Sequence, residues 1–361
     1  MKKIISLVGA RPQFIKEAVV GEAVRRHHAW EHVLVHSGQH YDASMSGIFF
    51  DDLAIPAPKE NLGVGSGTHG AMTGAMLISV EKVLMREKPD ALIVYGDTNT
   101  TLAGALAAAK LDIPIVHIEA GMRMQPKSMP EELNRVLTDR ISTVLCCCSA
   151  LGQKNLCAEG ITDGVHVTGD VMYDLFLRFE KHFTPQLSAQ NLGVEPGRFV
   201  VATLHRDFNV DNPTSLAECL LGLAQLQEQS GLAVLFFMHP RTSKNIVQFG
   251  LEKVAAKLRV LSSIGYLELM SLTCASAFVM TDSGGLQKEA YYAGKRAVVI
   301  MGDTCWRELV DNGWNILAEA CSDDILNAGL RATNPMVPEK NIYGSGQTAE
   351  RIIQVVRDTL F

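Results

Sequence analysis

Short apolar runs alternate with longer amphipathic segments along nearly the whole chain. The first half contains the apolar runs KIISLV, EHVLVHSG, ALIVYGD, PIVHIEAG and TVLCCCS, with helix-length segments such as TNTTLAGALAAAKL between them. Runs of this kind, joined by helical crossovers, indicate parallel strands that are buried on both faces. The first half is therefore predicted to form a parallel sheet covered by helices on both sides.

The pattern pauses after VHVTGD and then begins again. Residues 174–196 are polar and contain proline and glycine, and the apolar runs RFVVATLH, LAVLFFMHP, LRVLSSIG, SAFVMTDSGG and RAVVIMGD follow. The two arrays predict two Rossmann-like, doubly wound α/β domains, residues 1–172 and 173–345, that face each other across a central cleft. The final segment, residues 346–361, is predicted to be an amphipathic helix.

Composition narrows the class of protein. Of 361 residues, 47% are apolar and 20% are charged, so two sizeable hydrophobic cores are expected. The net charge of −6, with no basic block, predicts no binding to nucleic acid. The first apolar run is too short for a signal peptide or a membrane span. Eight cysteines without paired C-x-x-C spacing indicate core side chains in a reducing cytoplasm. We therefore expect a cytoplasmic protein with no metal, membrane or nucleic-acid partner.

Charged side chains follow most of the predicted strands. Ligands of open α/β sheets bind beyond the carboxyl ends of the strands, so these side chains are predicted to line the cleft. A single acid after a strand commonly caps a helix, but a whole series of charged strand ends favours a ligand site. The residues concerned are Arg11, Lys16, Asp97, Glu119, His205, His239 and Asp282.

The segment VMTDSGGLQKEAYYAG joins a strand to a helix through Ser283, Gly284 and Gly285. Backbone N–H groups at such a helix start form an anion site suited to phosphate groups. Glu289 lies about one turn further along, where a carboxylate can accept both hydroxyls of a ribose. The alternative is an ordinary glycine-rich turn with Ser283 as the helix cap. Because G-x-x-x-x-G-K-[ST] is absent, a phosphate-cleaving P-loop is not indicated.

The segment SMPEELNRVLTDR predicts a helix with a proline in its first turn. Glu131, Arg135 and Asp139 recur every four residues, as ion pairs along one helix face do, and Asp139 is interpreted in this way. Asp97, Glu119 and Glu131 converge if the preceding loop folds over the cleft. Converging carboxylates raise one another's pKa, so that one of them can hold or accept a proton near neutral pH.

The motifs GARPQFIKEA, YGDTNTTLAGALAAAKLDIPIVHIEAG, MPEELNRVLTD, GDVMYD, VATLHR and TDSGGLQKEAYYAGK resemble, in order and spacing, those of the non-hydrolysing UDP-N-acetylglucosamine 2-epimerases. The resemblance covers the whole chain and implies the glycosyltransferase-B type of fold, with UDP held mainly by the C-terminal domain. It also implies that the last helix, residues 346–361, joins the N-terminal domain.

The reaction implied by this resemblance removes the C2 proton of a UDP-sugar and expels UDP to leave a glycal. UDP then adds back, with protonation on the opposite face. A homodimer is expected, and no cofactor is implied. The implied catalytic residues are Asp97, Glu119, Glu131, His205 and Lys16. The implied UDP-sugar-binding residues are Arg11, Arg135, Ser283, Gly284, Gly285, Glu289 and Arg307. Which carboxylate takes the C2 proton stays open.

Some segments depart from the family pattern. In MGDTCWRELVDNGWN, Gly302 stands where the family has an arginine, and Arg307 is a candidate replacement. The same segment, with IYGSGQ, is similar to the branch that acts on UDP-2,3-diacetamido-2,3-dideoxyglucuronate. Residues 38–40 match a Gly-Gln-His motif near which some bacterial members bind a second UDP-sugar. A polar turn is the alternative for Gln39 and His40.

The sequence leaves the sugar undecided between UDP-N-acetylglucosamine and the diacetamido glucuronate. It also leaves two other functions open. A glycosyltransferase of the same architecture uses the turn at Ser283 for UDP but transfers the sugar to an acceptor. A sugar-nucleotide-binding protein without catalysis is compatible with the altered segment around Trp306.

Overall fold

The computed structural model describes residues 1–38, 56–65, 67–334 and 341–361, with only the backbone of Arg11. The elements up to residue 180 are β1 (Lys2–Val8), α1 (Arg11–Arg26), β2 (Trp30–His36), β3 (Glu60–Asn61), α2 (His69–Glu87), β4 (Ala91–Tyr95), α3 (Asn99–Lys110), β5 (Ile115–Ala120), α4 (Pro130–Ile141), β6 (Val144–Cys147), α5 (Ala150–Ala158), β7 (Val165–Val167) and α6 (Val171–Glu180). The later elements are α7 (Pro185–Asn191), β8 (Phe199–Leu204), α8 (Asp207–Val210), α9 (Pro213–Ser230), β9 (Ala233–Met238), α10 (Pro240–Gln248), α11 (Glu252–Ala255), β10 (Arg259–Ser262), α12 (Tyr266–Ala275), β11 (Phe278–Thr281), α13 (Gly284–Tyr292), β12 (Ala297–Ile300), α14 (Arg307–Asp311), β13 (Asn315–Ala318), α15 (Ser322–Ala332) and α16 (Thr348–Leu360).

These elements form two compact units. The first consists of Met1–Arg178 with Asn341–Phe361, and the second of Phe179–Lys340. The domain limits predicted from the sequence lie a few residues away from these limits. The stretch 174–196, interpreted as a break in the pattern, contains most of α6 and all of α7. No helix within the described ranges is both long enough and apolar enough to cross a membrane.

The sheet of the first unit has the strand order β3-β2-β1-β4-β5-β6-β7, and its neighbouring strands are parallel. Every residue of β4 is buried, as expected for a strand that helices cover on both faces. The predicted strands of the first half correspond to β1, β2, β4, β5 and β6. The short β3 and β7 were not predicted, because two or three partly exposed residues leave no apolar run.

The strand order of this sheet reverses between the neighbouring strands β1 and β4, because β2 and β3 are added on one side of β1 and β4 to β7 on the other. Parallel strands end at the same edge, so the loops after β1, β4 and β5 lie side by side. Lys16 lies in α1, the helix after β1, Asp97 follows β4, and Glu119 is the last residue but one of β5. The strand order therefore brings together three of the predicted catalytic residues.

The second unit repeats the design with the order β10-β9-β8-β11-β12-β13, again parallel throughout. Its core includes Phe236, Phe278 and Leu223, all fully buried. The adjacent β8, β11 and β12 end next to His205, Asp282 and residues 301–306. Both units are thus doubly wound α/β sheets, as predicted, and β13 is a further strand that the sequence analysis missed.

Candidate active site

Glu119 has an unusual backbone at the end of β5. Its φ angle is +74°, in the left-handed region that side chains other than glycine rarely adopt. The pairing of β5 with β6 shifts register between Ile118 and Ala120, so Glu119 is the extra residue of a β-bulge. Bulges redirect side chains and occur next to active sites. Here the bulge brings the Glu119 carboxylate to 2.7 Å from the ammonium of Lys16, in a largely buried ion pair.

Two further groups lie beside this pair. Ligand atoms of Glu119, Cys148 and Asp170 lie within 4.8 Å of one another, a grouping that their sequence spacing did not reveal. Asp170 is fully buried, and it also accepts a hydrogen bond of 2.9 Å from the amide of Met172. The Lys16 ammonium supplies positive charge to this acidic group.

Asp97 forms an ion pair with Arg135. The guanidinium of Arg135 contacts Asp97 and also Glu132, which lies in the first turn of α4. Burial raises the pKa of Glu132 although the charge of Arg135 opposes this shift. The amide of Asn134 donates to the backbone carbonyl of Asp97 at 3.0 Å. Glu132 and Asn134 were not predicted as site residues.

Gln13 is another residue that the sequence analysis missed. Its fully buried side-chain oxygen accepts hydrogen bonds from the amides of Gly9 (2.8 Å) and Ala10 (3.0 Å). Its nitrogen donates to the carbonyl of Tyr95 (2.8 Å) and to the hydroxyl of Thr98 (3.0 Å). Gln13 therefore joins the loop after β1 to the loop after β4.

The interpretation of Asp139 as the partner in an ion pair along one face of the helix was wrong. Asp139 is buried, and its carboxylate contacts the Nδ1 atom of His117 and the guanidinium of Arg123, both at 2.7 Å. Burial raises the pKa of Asp139, but the hydrogen bond from His117 and the charge of Arg123 outweigh it and hold this pKa below its usual value. Arg135, the expected partner, points instead to Asp97. Tertiary contacts thus override the helical spacing.

Helix α4 buries polar residues and exposes apolar ones. Arg135 and Asp139 lie on its buried side, whereas the side chains of Leu133 and Leu137 are 52% and 50% exposed. Glu131 is the second residue of α4, one turn before Arg135, and is partly buried. In EELNRVLTDR, the polar residues occupy the buried face of α4 and the leucines the exposed face, whereas a surface helix ordinarily buries its apolar face. This reversal points to a functional helix.

In the second unit, Asp282 positions His205. The Asp282 carboxylate lies 2.9 Å from Nδ1 of His205 and accepts the backbone amides of His205 and Arg206 at 3.0 Å. Burial raises the pKa of Asp282, but the hydrogen bond from His205 outweighs it, so the pKa lies below its usual value. The His205 side chain is 38% exposed, and its contact with Asp282 is made through Nδ1.

The turn at residues 283–285 begins α13, as predicted. The Ser283 hydroxyl accepts from the Leu286 amide at 3.4 Å and is the helix N-cap. The indole N–H of Trp306 donates to the carbonyl of Gly284 at 2.9 Å. The Lys288 ammonium lies 3.8 Å from the centre of the Trp306 ring. The altered segment around Trp306 therefore packs directly on the predicted phosphate-binding turn.

Other predicted residues have the following places. Glu289 is buried in α13, and its charge contributes, after burial, to raising the pKa of Tyr266. Arg307 begins α14 and lies 3.1 Å from Asp303, with its side chain 42% exposed. The side chain of Arg11, and all of Gln39 and His40, lie outside the described residues.

A cavity of about 530 Å³ lies at the opposite edge of the second sheet, where the strands begin. Arg198, Lys295 and Arg296 line it, next to the carboxyl ends of helices such as α15. Arg296 donates to the carbonyl of Arg331 in that helix at 2.9 Å. Cations at helix carboxyl ends complement the helix dipole. The cavity lies at the edge where the strands begin, so it is separate from the residues at the strand ends described above.

Two parallel, doubly wound sheets of this kind define the glycosyltransferase-B class of fold. The family model described as UDP-N-acetylglucosamine 2-epimerase matches residues 22–357. The chain therefore belongs to the UDP-N-acetylglucosamine 2-epimerase family.

Named relatives match almost end to end. A UDP-2,3-diacetamido-2,3-dideoxy-D-glucuronate 2-epimerase of Pseudomonas aeruginosa is 43% identical, with 98% of each chain covered. A UDP-N-acetylglucosamine 2-epimerase homolog of Methanococcus maripaludis is 42% identical over 99% of each chain. The crystal structure of Methanocaldococcus jannaschii UDP-GlcNAc 2-epimerase, in complex with UDP-GlcNAc and UDP, matches with a TM-score of 0.91 at 38% identity, covering 99% of each chain.

Proposed function

We propose that this protein is a UDP-sugar 2-epimerase that inverts C2 of a UDP-2-acetamido sugar. Family membership supports the reaction class. The observation that carries the proposal is the buried Glu119–Lys16 pair, which a strained bulge holds at the carboxyl edge of the first sheet. Strained backbone at a site of this kind is retained when the resulting side-chain position has a function.

In the proposed reaction, Glu119 removes the proton from C2. The C1–O bond to UDP breaks, its electron pair leaves with the diphosphate, and a C1=C2 double bond forms. In the return step a proton is delivered to C2 from the opposite face, and a diphosphate oxygen bonds to C1. The overall change is inversion at C2 without loss of atoms.

Glu119 is a better candidate for the base than Asp97. Both carboxylates are ion-paired, but their partners differ. A lysine ammonium can be deprotonated in proteins, whereas a guanidinium stays charged. We therefore propose the Glu119–Lys16 pair, rather than the Asp97–Arg135 pair, as the group that takes the C2 proton. Glu131, another member of the implied acid/base set, is proposed to deliver the proton from the opposite face.

The second unit is proposed to bind the UDP moiety. The amides at residues 283–285 form the N-terminal end of α13, which attracts phosphate oxygens. His205, oriented by Asp282, is proposed to donate from Nε2 to the diphosphate as it takes up negative charge. Arg11 and Arg307 are proposed as further phosphate ligands, and Glu289 as the ribose ligand.

We also propose a cytoplasmic homodimer that supplies precursors for surface polysaccharide. The two exposed leucines of α4, Leu133 and Leu137, support a dimer because a second copy of the chain would cover them. Light scattering after size-exclusion chromatography tests this. Replacing both leucines by glutamate is expected to give monomers, and a wild-type protein that is already monomeric contradicts the proposal.

The function is tested by supplying UDP-N-acetylglucosamine and UDP-2,3-diacetamido-2,3-dideoxyglucuronate in parallel and following the C2 epimer by proton NMR. At least one of the two is expected to reach an epimer equilibrium. Transfer of the sugar to an acceptor, or tight UDP binding with no epimer from either sugar, would contradict the proposal. Those outcomes would indicate a glycosyltransferase or a binding protein without catalysis.

A further inference from the structure

Asp139 is bonded to the chain on both sides of Glu119. One carboxylate oxygen of Asp139 lies 2.7 Å from Nδ1 of His117, and the other accepts the amide of Gly121 at 3.1 Å. His117 and Gly121 lie two residues before and two residues after Glu119. A single buried carboxylate therefore spans the bulge that contains the strained residue.

The same arrangement reaches the neighbouring loop. Nε2 of His117 donates to the carbonyl of Gly96 at 2.7 Å. Gly96 has a φ angle of +63°, and a Cβ atom there would lie 3.4 Å from the Lys16 ammonium and 3.5 Å from the Glu119 carboxylate. The backbone that His117 holds thus packs directly against the ion pair.

Asp139 is held by paired contacts. Both ring nitrogens of His117 face acceptors, the Asp139 carboxylate and the Gly96 carbonyl, each at 2.7 Å. Arg123 binds Asp139 and makes a two-point contact with Glu159. Buried charges that are paired in this way form stiff networks, because breaking one contact leaves another charge without its partner.

We infer that Asp139 is a positioning residue for the proposed proton transfer, which holds the Glu119 backbone in its left-handed conformation and so aims the carboxylate at Lys16. The inference rests on the proposed function for its catalytic consequence. Its structural part, the coupling between residue 139 and the backbone at residue 119, is measurable without any activity.

The kinetic test compares Asp139→Asn with wild type in C2 exchange and in UDP binding. A misplaced base lowers kcat by about 10²-fold, whereas UDP affinity, which the second unit is proposed to supply, stays unchanged. Asp174→Asn is the matched control, because Asp174 is also buried and accepts a backbone amide, that of Ala349, at 2.8 Å. If both variants lose the same stability and neither loses kcat, Asp139 has no positioning role.

Substitutions at His117 test the same contact if Asp139→Asn does not fold. The amide nitrogen of asparagine replaces Nδ1 and keeps the bond to Asp139, whereas that of glutamine replaces Nε2 and keeps the bond to Gly96. His117→Asn is therefore expected to retain more exchange activity than His117→Gln. The reverse order overturns the inference.

The activity-independent test is a double-mutant cycle between residues 119 and 139. With Asp139 present, Glu119→Gly is expected to melt at a higher temperature than Glu119→Ala, because only glycine adopts the left-handed backbone without cost. With Asp139→Asn, this gap is expected to disappear. A gap that persists overturns the inference. A gap that disappears in a protein without C2 exchange leaves the inference standing and refutes the proposed function.

Discussion

Replacing Glu119 by glycine is expected to leave the protein more stable than replacing it by alanine. Both substitutions remove the carboxylate and leave the Lys16 ammonium unpaired, so the difference between them isolates the backbone. At a φ angle of +74°, a residue with a Cβ atom costs about 1–2 kcal/mol. In an ordinary strand, glycine is instead the less stable choice by about 0.5–1 kcal/mol.

The left-handed backbone and the ordinary strand backbone therefore predict opposite signs for the difference in stability between the glycine and the alanine variant. With the left-handed backbone, the free energy of unfolding of the glycine variant is expected to be higher by about 1 kcal/mol, or about 2–4 °C in Tm for a unit of this size. Scanning calorimetry of both variants measures the difference. Glu31 in β2, which has no left-handed backbone, supplies the control. There Glu31→Ala is expected to be more stable than Glu31→Gly. An alanine variant at residue 119 that is as stable as the glycine variant would refute the strain argument.

Two further predictions concern buried acids. Asp282→Asn is expected to lower kcat by about 10–100-fold, because a neutral amide replaces the carboxylate beside Nδ1 of His205; unchanged steady-state kinetics would show that the contact has no catalytic role. Burial raises the pKa of Glu17 from 4.5 to about 7, so the folded state keeps a proton that the unfolded state has released, and stability falls as pH rises through that window. Glu17→Gln removes this loss and is expected to gain about 3 kcal/mol on wild type between pH 4.5 and pH 8. Urea unfolding of both proteins across that range measures the difference; a difference independent of pH contradicts the expectation.

The fold was largely predictable because its strands are buried on both faces. β4, for example, consists of ALIVY with every residue buried, and such runs stand out in the sequence. The elements that were missed are short or partly exposed, such as β3 and β7, and their pairing depends on neighbours that are distant in the chain. Helices in the stretch 174–196 were missed because its proline and polar residues suggested a break, although Pro185 starts α7.

The candidate site was predictable only where it follows directly from a strand end. This rule identified Lys16, Asp97, Glu119 and His205 as candidates, and their roles stay predictions. It did not identify Gln13, whose importance depends on β1 and β4 being neighbours. Glutamate has no preference for left-handed backbone, so nothing local in the sequence predicted the bulge at residue 119.

Asp139 shows why spacing alone misled. Its position one turn after Arg135 fits a helical ion pair. The buried side of α4 instead faces β5, where Nδ1 of His117 lies 2.7 Å from the Asp139 carboxylate. Because Arg135 contacts Asp97 instead, the buried partner of Asp139 on that strand is His117. Only the tertiary structure brings these two residues together.

The most direct test of the proposed function is the fate of the C2 proton in deuterated water. Wild-type protein incubated with a UDP-sugar that it accepts is expected to place deuterium at C2, in a product inverted at that carbon. Glu119→Gln is expected to bind UDP as wild type does and to incorporate no deuterium. Inversion without deuterium, or full exchange by Glu119→Gln, would contradict proton removal by Glu119 as the basis of the reaction.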